Sequence, residues 1–405
     1  MRSRSAAAAG LALALAACGS APPPSGSEVV VRVRVRDDLC PPGGCGAPEP
    51  PAPPPVCAAD GPQGLRALDL AAGMAHACAV LSDGHVRCWG ANYESSLGNG
   101  RHGASATPVT VRRVEGAQEV SAGRYHACAR VEGGRVWCWG RNDWAALGTG
   151  DRRTPSPWLP VEVGRLRRVE QVAAGRDHTC ARLRGGAVRC WGRNHRGQLG
   201  DGTTSLRARP SRVRGLRASH LAAGGDSSCA VRTDGGVACW GRVTGTERPV
   251  SIRGLPSPAV HVAVGDGAAC TRLVDGRVWC WGDGTHGTLG PAERSASESA
   301  VRVEGLPPAR ALTMGAHRGC IVSAQGRVWC WGGGATFDRA SARPRQRDLL
   351  SSASEVAVSR AATCARLDAG GVCCWGSNRD GLLGVLAEPF RSGEARGELP
   401  VPLAW

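Results

Sequence analysis

The sequence predicts an all-β fold, a seven-bladed β-propeller of four-stranded blades carried on an N-terminal disordered tether. Three observations predict it. First, one phrase recurs seven times along the 405 residues: a cysteine, a short turn, then Val-x-Cys-Trp-Gly. The first copy runs Gly73, Cys78, Val86, Cys88, Trp89, Gly90, and the second Gly123, Cys128, Val136, Cys138, Trp139, Gly140. Second, the copies stand 41 to 52 residues apart and fill the chain from about Leu65 to Trp405. Third, each copy reads as four short strands. Four antiparallel strands in a repeat of this length build radial blades, each burying its faces on its neighbours.

In chain order, the first element is a leader. Arg2 and Arg4 precede an apolar run, Ala6 to Ala17, well short of the ~20 residues that a membrane span needs. The run ends in Leu15-Ala16-Ala17-Cys18. This resembles the lipobox of bacterial lipoproteins, in which the cysteine is lipidated and becomes the new N-terminus. Residues 1–18 are therefore expected to form a lipoprotein signal. The mature chain is then exported and held on the bacterial cell envelope through Cys18. The other reading is an ordinary cleaved signal with an incidental cysteine, which also exports the chain.

Residues 19–64 form the tether. They are rich in Pro, Gly, Ser and Ala, as in Pro22-Pro23-Pro24 and Pro53-Pro54-Pro55. Such composition buries no core and favours extended chain. Within it Val31, Val33 and Val35 alternate with Arg32, Arg34 and Arg36, a period-two pattern with a cationic face. That stretch either adds to a blade edge, touches anionic lipid, or is locally extended linker. The whole chain has a net charge of +16, carried by arginine. A basic surface favours anionic partners, but an exported chain has least access to nucleic acid, so no nucleic-acid binding is expected.

The blades occupy residues 65–405. In the first, Leu68 to Ala72 reads as strand A and His76 to Leu81 as strand B. Ser82-Asp83-Gly84 is the turn, His85 to Trp89 strand C, and strand D lies around Pro108 to Val111. Glycine at the last turn position suits a three-residue hairpin whose final residue is left-handed. After the third Cys-Trp-Gly the chain continues Trp191-Gly192-Arg193-Asn194-His195-Arg196-Gly197-Gln198-Leu199-Gly200. This closing phrase resembles the regulator-of-chromosome-condensation repeat family, in a bacterial secreted form. Copies one, two, three, five and seven keep much of it; copy four (Trp240 to Thr246) and copy six (Trp331 to Phe337) lose it. The resemblance implies the propeller but no single activity, because this fold hosts unrelated functions. The family's eukaryotic founder acts on a nuclear GTPase and on chromatin, which an exported chain does not meet. A secreted bacterial relative that inhibits β-lactamase is the nearer analogy.

Seven cysteine pairs share one spacing: Cys78 with Cys88, Cys128 with Cys138, Cys180 with Cys190, Cys229 with Cys239, Cys270 with Cys280, Cys320 with Cys330, and Cys364 with Cys374. Across a three-residue turn the two members of a pair lie opposite each other on strands B and C, within disulfide range. An oxidising compartment then favours the bond. Two cysteines per blade do not supply the four ligands of a structural zinc site; free buried thiols are the alternative. Cys40, Cys45, Cys57 and Cys373 remain, with pairing open. Cys373 takes a position that Trp137, Trp279 and Trp329 hold elsewhere. It is expected to face the opposite side of its sheet from Cys374, toward a neighbouring blade.

Candidates for chemistry are few. Gly282-Asp283-Gly284-Thr285-His286-Gly287 matches a dinucleotide-loop pattern but opens no helix. His76, His126 and His178 recur two residues before a cysteine, yet later copies put Ser227, Ala268, Arg318 and Ala362 there. Structural hydrogen bonds between strands are expected of them, not a metal ring. No catalytic motif and no cofactor or metal site is found.

The expected recognition surface is the end that carries the A–B and C–D loops. Those loops hold both tyrosines of the chain, Tyr93 and Tyr125, with Arg124, Trp144, Arg176, His195, His286, Phe337 and Arg379. Aromatic residues and arginine anchor interfaces; the bland reading is that long loops contain mixed residues. The tryptophans after each cysteine, such as Trp89, Trp139 and Trp191, belong to the core between blades. The expected function is a non-catalytic, monomeric protein-interaction module, for example an inhibitor, adhesin or scaffold. The alternatives are a structural spacer, or a lyase or hydrolase acting on polysaccharide. The last requires two of Glu94, Asp143, Asp177, Asp226 and Asp266 close together in a cleft. How the ring closes is open: the last strand, near Leu399 to Leu403, completes either its own copy or the blade that begins at Leu65.

Overall fold

The computed structural model describes residues 64–403, apart from 152–156, 165, 292–294, 334–340, 348–349, 351, 379 and 385–395, with the backbone alone at 396–402. The leader with Cys18, nearly all of the tether, and Cys40, Cys45 and Cys57 lie outside the described residues. So do two of the candidate face residues, Phe337 and Arg379.

The described strands form antiparallel four-stranded units in the order A-B-C-D. In the first unit these are Ala67–Ala72, His76–Leu81, Val86–Gly90 and Ser105–Thr110. Strand B thus falls where the sequence places it, strand C lies one residue later than His85 to Trp89, and strand D starts three residues earlier than Pro108. In one place two units run together. The strand Arg207–Gly224 pairs with strand C of the third unit and then serves as strand A of the fourth, giving a seven-stranded sheet of two units. Counting that sheet as two, the described strands make seven units. Strand D of the second unit is only Val161–Glu162.

The B–C hairpin is local and follows from its turn. Val80 pairs with Val86, Gly84 donates its N–H to the Leu81 carbonyl, and Gly84 has φ +79°, a value that favours glycine. With that register Cys78 stands opposite Cys88, and the same pairing holds in all seven units. All seven pairs are disulfide-bonded, so the alternative of free buried thiols is excluded for them. Cys78 is joined to Cys88, Cys128 to Cys138, Cys180 to Cys190 and Cys229 to Cys239. Cys270 is joined to Cys280, Cys320 to Cys330 and Cys364 to Cys374. Their Cα atoms are 4.0 to 4.1 Å apart. This is closer than the usual cross-strand spacing because they occupy non-hydrogen-bonded positions, where strands approach most. Cys373 is disulfide-bonded as well.

Alternation along strand C sends each cysteine and the following tryptophan to opposite faces. The disulfide of one unit therefore packs against the tryptophan of the next. Cys78 and Cys88 share a buried cluster with Trp139, and Cys128 and Cys138 share one with Trp191. Cys180 and Cys190 meet Trp240, and Cys229 and Cys239 meet Trp281. Cys270 and Cys280 meet Trp331, and Cys320 and Cys330 meet Trp375. The last cluster returns to the start: Cys364 and Cys374 pack with Trp89. These tryptophans are at most 4% exposed, so they are core, as expected. Cys373 joins the cluster facing the sixth unit while Cys374 faces the first, also as expected.

The ring closes by packing and not by strand exchange. The C-terminal strand, Arg396–Pro402, pairs with strand C of its own unit. The Ala67 N–H donates to the Gly370 carbonyl, and the Trp89 Nε1–H donates to the Leu382 carbonyl. Leu403, Leu382 and Leu383 bury themselves against Ala67 and Leu70.

The closing phrase is the joint between units. In the third unit the Asn194 side chain accepts from the Leu199 N–H at 2.9 Å, and its amide donates to the Thr203 carbonyl. This folds the C–D loop, buries Leu199 completely, and aims the Gln198 carbonyl at the next unit. There it accepts from Trp240 Nε1 at 2.8 Å. The final glycine is required by that contact: a Cβ on Gly200 would stand 2.8 Å from the Trp240 indole nitrogen. Asn92 and Asn142 act likewise, so Trp139 donates to the Ser96 carbonyl and Trp191 to the Ala146 carbonyl. Units four and six lack the phrase. The buried Nε1 atoms of Trp281 and Trp375, in the units that follow them, accordingly have no hydrogen-bond partner.

Candidate recognition face

The described A–B and C–D loops meet at one end of the ring, and in the first, third and fifth units the C–D loop lies against the A–B loop of the next. Tyr93, from the first C–D loop, meets Tyr125, from the second A–B loop, edge to face with centroids 5.9 Å apart. His195 from the third C–D loop lies 3.8 Å from Asp226 of the fourth A–B loop. His286 from the fifth stacks on His317 of the sixth, with centroids 4.0 Å apart.

Among the described candidates, Arg124, Tyr125 and Trp144 take part in arginine-backed aromatic platforms. The Arg124 guanidinium lies over the Tyr125 ring at 4.9 Å, and Arg141 approaches the same ring at 5.8 Å. The Arg193 guanidinium lies 4.4 Å from the centre of Trp144. Tyr93 is 54% exposed and Trp144 37%; the Trp144 ring faces solvent with Arg193 behind it, and Tyr93 stands edge-on to the arginine-backed ring of Tyr125. Arg141 and Arg193 were missed in the sequence reading. Each follows a Trp-Gly, and that position was available as a signal. Trp158, 52% exposed and edge-on to His102 at 4.0 Å, was also missed.

Arg176 has a different role. It bridges Asp226, at 3.6 Å, and Asp266. Asp266 also pairs with Arg242 at 3.0 Å, and Asp226 accepts from Gln198 Nε2. Two of the carboxylates that a polysaccharide-acting enzyme would need are thus brought together, but around a shared guanidinium. Asp143 is paired with Arg141 and buried Asp177 with Arg193. The dinucleotide-like segment opens no helix; Thr285 turns back to cap Asp283 through its N–H and hydroxyl.

At the axis the A–B loops surround a cavity of about 590 Å³. The loops are linked by backbone bonds: the Arg124 N–H donates to Arg176 O, Arg176 N–H to Gly225 O, and Asp266 N–H to Ala316 O. Below them runs a belt of side chains at one position of strand A. Asp69 accepts from the Val120 N–H, Glu119 from Val172, Gln171 from Leu221, and His220 Nδ1 from Val262. Each inner strand would otherwise present open edge donors; here the side chain of the preceding unit satisfies one. Burial among like charges pushes the Glu119 and Glu355 carboxyls up to about 8, and burial also raises Asp69. Glu355 and Asp69 share a hydrogen bond, and Arg366 and Arg130 pair with Glu355 and Glu119 at 2.9 and 3.1 Å, which opposes the rise.

Two of the three recurring histidines make the structural hydrogen bonds expected of them, and His76 does not. His126 Nε2 meets Thr179 Oγ1 at 3.0 Å, and His178 Nε2 meets Ser228 Oγ at 2.9 Å, each bridging to the next unit. His76 faces a unit that carries Ala127 at that position and has no partner for Nε2. Among the described residues no cluster of His, Cys, Asp or Glu is arranged to hold a metal.

The repeat matches a known family. The family description "Regulator of chromosome condensation (RCC1) repeat" fits residues 83–130, 133–182 and 185–231, and a second form of it fits 68–95, 118–143 and 169–198. Residues 68–231 thus match RCC1 repeats. The longer matches run from the B–C turn of one unit to strand B of the next, so each RCC1 repeat contains one C–D loop and the A–B loop it meets. The ultraviolet-B receptor UVR8 of Arabidopsis thaliana is 27% identical over 154 residues, which is 36% of this chain and 34% of that protein. The match therefore spans about a third of that relative. Yeast RCC1 (Prp20) bound to Kap60 superposes with a TM-score of 0.67 at 20% identity, over 78% of this chain and 83% of that one. Prp20p from Saccharomyces cerevisiae gives 0.61 at 20% identity, over 71% and 79%. These likenesses establish an RCC1-type propeller fold.

Proposed function

We propose that this protein is an envelope-anchored, non-catalytic interaction propeller that binds a protein partner with its A–B/C–D face. One observation carries the reading: exposed Tyr93 and Trp144 stand at that end with arginine-backed rings around them. Rigid aromatic surface beside arginine is the composition of interface hot spots. The structural relatives support the use of the fold, since yeast RCC1 was solved bound to Kap60 and Prp20p binds Gsp1p and histones. Seven disulfides suit an oxidising compartment. No helix among the described residues is long and apolar enough to cross a membrane, and the leader ending at Cys18 supports attachment by lipid. An inhibitor, adhesin or scaffold acts by such a face without cofactor or nucleic acid, as a single propeller.

The test is site-specific photo-crosslinking in the source cell, with the full chain carrying the probe at Tyr93, at Trp144, or at Arg277 in a B–C turn of the opposite end. The same adduct from the first two positions and none from Arg277 is expected. No adduct from the face, or equal adducts from Arg277, returns the protein to a spacer role.

The meeting of Asp226 and Asp266 favours a second reading, a polysaccharide-acting enzyme. Both carboxylates are already engaged by Arg176, which argues against it. Polysaccharide cleavage abolished by Asp266→Asn would establish it.

A further inference from the structure

We propose that the axial cavity is the seat for an acidic segment of the protein partner, a short run of carboxylate side chains entering the ring from the A–B/C–D end. This rests on the recognition reading and names the chemistry of what that face receives.

Four arginines line the cavity: Arg124, Arg176, Arg318 and Arg360. Asp266 is the one carboxylate among the described lining residues, and Arg176 and Arg242 already engage it. Arg124 and Arg360 therefore leave positive charge in surplus among the described lining residues, within a walled space where field lines are focused and an anion gains most. Arg124 and Arg360 form no ion pair among the described residues, and the buried Nε of Arg124 has no hydrogen-bond partner. The site also shows what it accepts. Arg176, the neighbour of Arg124 on the ring, holds two carboxylates at once. A guanidinium offers a planar fork that matches a carboxylate in this way.

Continuity favours a peptide over a small free anion. Arg124 is both a wall of the cavity and the cation over Tyr125, whose ring touches exposed Tyr93. A ligand that satisfies Arg124 at the axis while covering those rings must extend out of the cavity across the rim. A cavity of about 590 Å³ takes a few side chains and no folded domain.

The test uses the full-length chain and a fluorescein-labelled hexaglutamate peptide, read by anisotropy at fixed low salt. Hexaglutamine, citrate, inorganic phosphate and phosphatidylglycerol vesicles are the comparison probes. Saturable hexaglutamate binding is expected. It should weaken at least ~10-fold in the double variant Arg124→Gln with Arg360→Gln, in line with the loss of charge-assisted hydrogen bonds, while the thermal melt stays that of the parent. Arg66→Gln, at the opposite end, should leave binding unchanged. The proposal is overturned by equal binding of hexaglutamine, by binding that the double variant leaves intact, or by the absence of saturable binding. It is also overturned if citrate or phosphate binds as tightly as the peptide, which makes this a small-anion site, or if only the vesicles bind, which makes it a lipid contact. Any of these with the Tyr93 and Trp144 crosslinks retained defeats the acidic segment alone; loss of the crosslinks defeats the recognition reading.

Discussion

Replacing Trp139 and Trp281 by phenylalanine, one at a time, separates the joint between units from the burial of the ring. The two indoles are 0% and 1% exposed and sit at the same repeat position, each against the disulfide of the preceding unit. The volume lost, and the cavity it leaves, are therefore closely matched and cancel in the comparison. The hydrogen bonds do not cancel. Trp139 donates to the Ser96 carbonyl at 2.9 Å, and Trp139→Phe removes that bond and leaves a buried acceptor unpaired. Trp281 has no partner, because the loop of unit four is a short turn in which the Thr244 and Gly245 N–H groups fold back on the Gly241 carbonyl. Trp281→Phe deletes a donor that is already unsatisfied. A net bond is worth ~1 kcal/mol and an orphaned buried group ~1 to 3 kcal/mol, so Trp139→Phe should be more destabilising than Trp281→Phe by about 2 to 4 kcal/mol. The assay is guanidinium unfolding followed by far-ultraviolet circular dichroism, with disulfides intact. Equal losses in the two variants would refute the assignment of the closing phrase as a hydrogen-bonded joint.

Two further outcomes are expected. Stability should peak near pH 6.5. Burial holds His76, His178 and His261 down at about 4 and His126 at about 3, and it lowers His220 well below its ordinary value. As pH falls below 6.5 the unfolded chain gains protons that the folded one refuses, so stability drops by about 1.4 kcal/mol per unit for each such group. Glu119 and Glu355, raised to about 8, act in the opposite sense: the folded state holds their protons between 4.5 and 8, and stability falls as pH rises through that window. The histidines outnumber these carboxyls below 6.5, and above it the carboxyls act alone. The double variant Glu119→Gln with Glu355→Gln should flatten the alkaline limb in denaturation series at pH 6.5, 7.25 and 8; an unchanged limb contradicts the belt's protonation. Separately, Cys128→Ser with Cys138→Ser opens a loop with sequence separation 10. It should lower the unfolding free energy by about 3 kcal/mol on loop entropy, measured against the parent under non-reducing conditions. No loss would mean that the pair packs without constraining the unfolded chain.

What the sequence by itself determined is the part of the molecule written within one repeat. Cys78 and Cys88, the turn that ends in Gly84, and the burial of Trp89 are legible because their partners lie within a few residues, and strand alternation does the rest. The same holds for the later pairs, where Cys190, Cys239, Cys280 and Cys330 each face the cysteine across their own turn. The missing phrase in copies four and six was legible too. Its consequence was not, since the orphaned indoles belong to Trp281 and Trp375, one repeat further on. Tertiary structure alone decided contacts that span whole repeats. Arg176 reaches Asp226 and Asp266, about one and two repeats away, and Asp69 and Glu355 meet only because the ring closes. Periodicity states what each unit contains, but curvature of the ring sets which loops converge on the axis. Ring closure was likewise unreadable: the last strand has equivalent edges to choose between until packing of Leu382, Leu383 and Leu403 against the first unit makes strand exchange unnecessary.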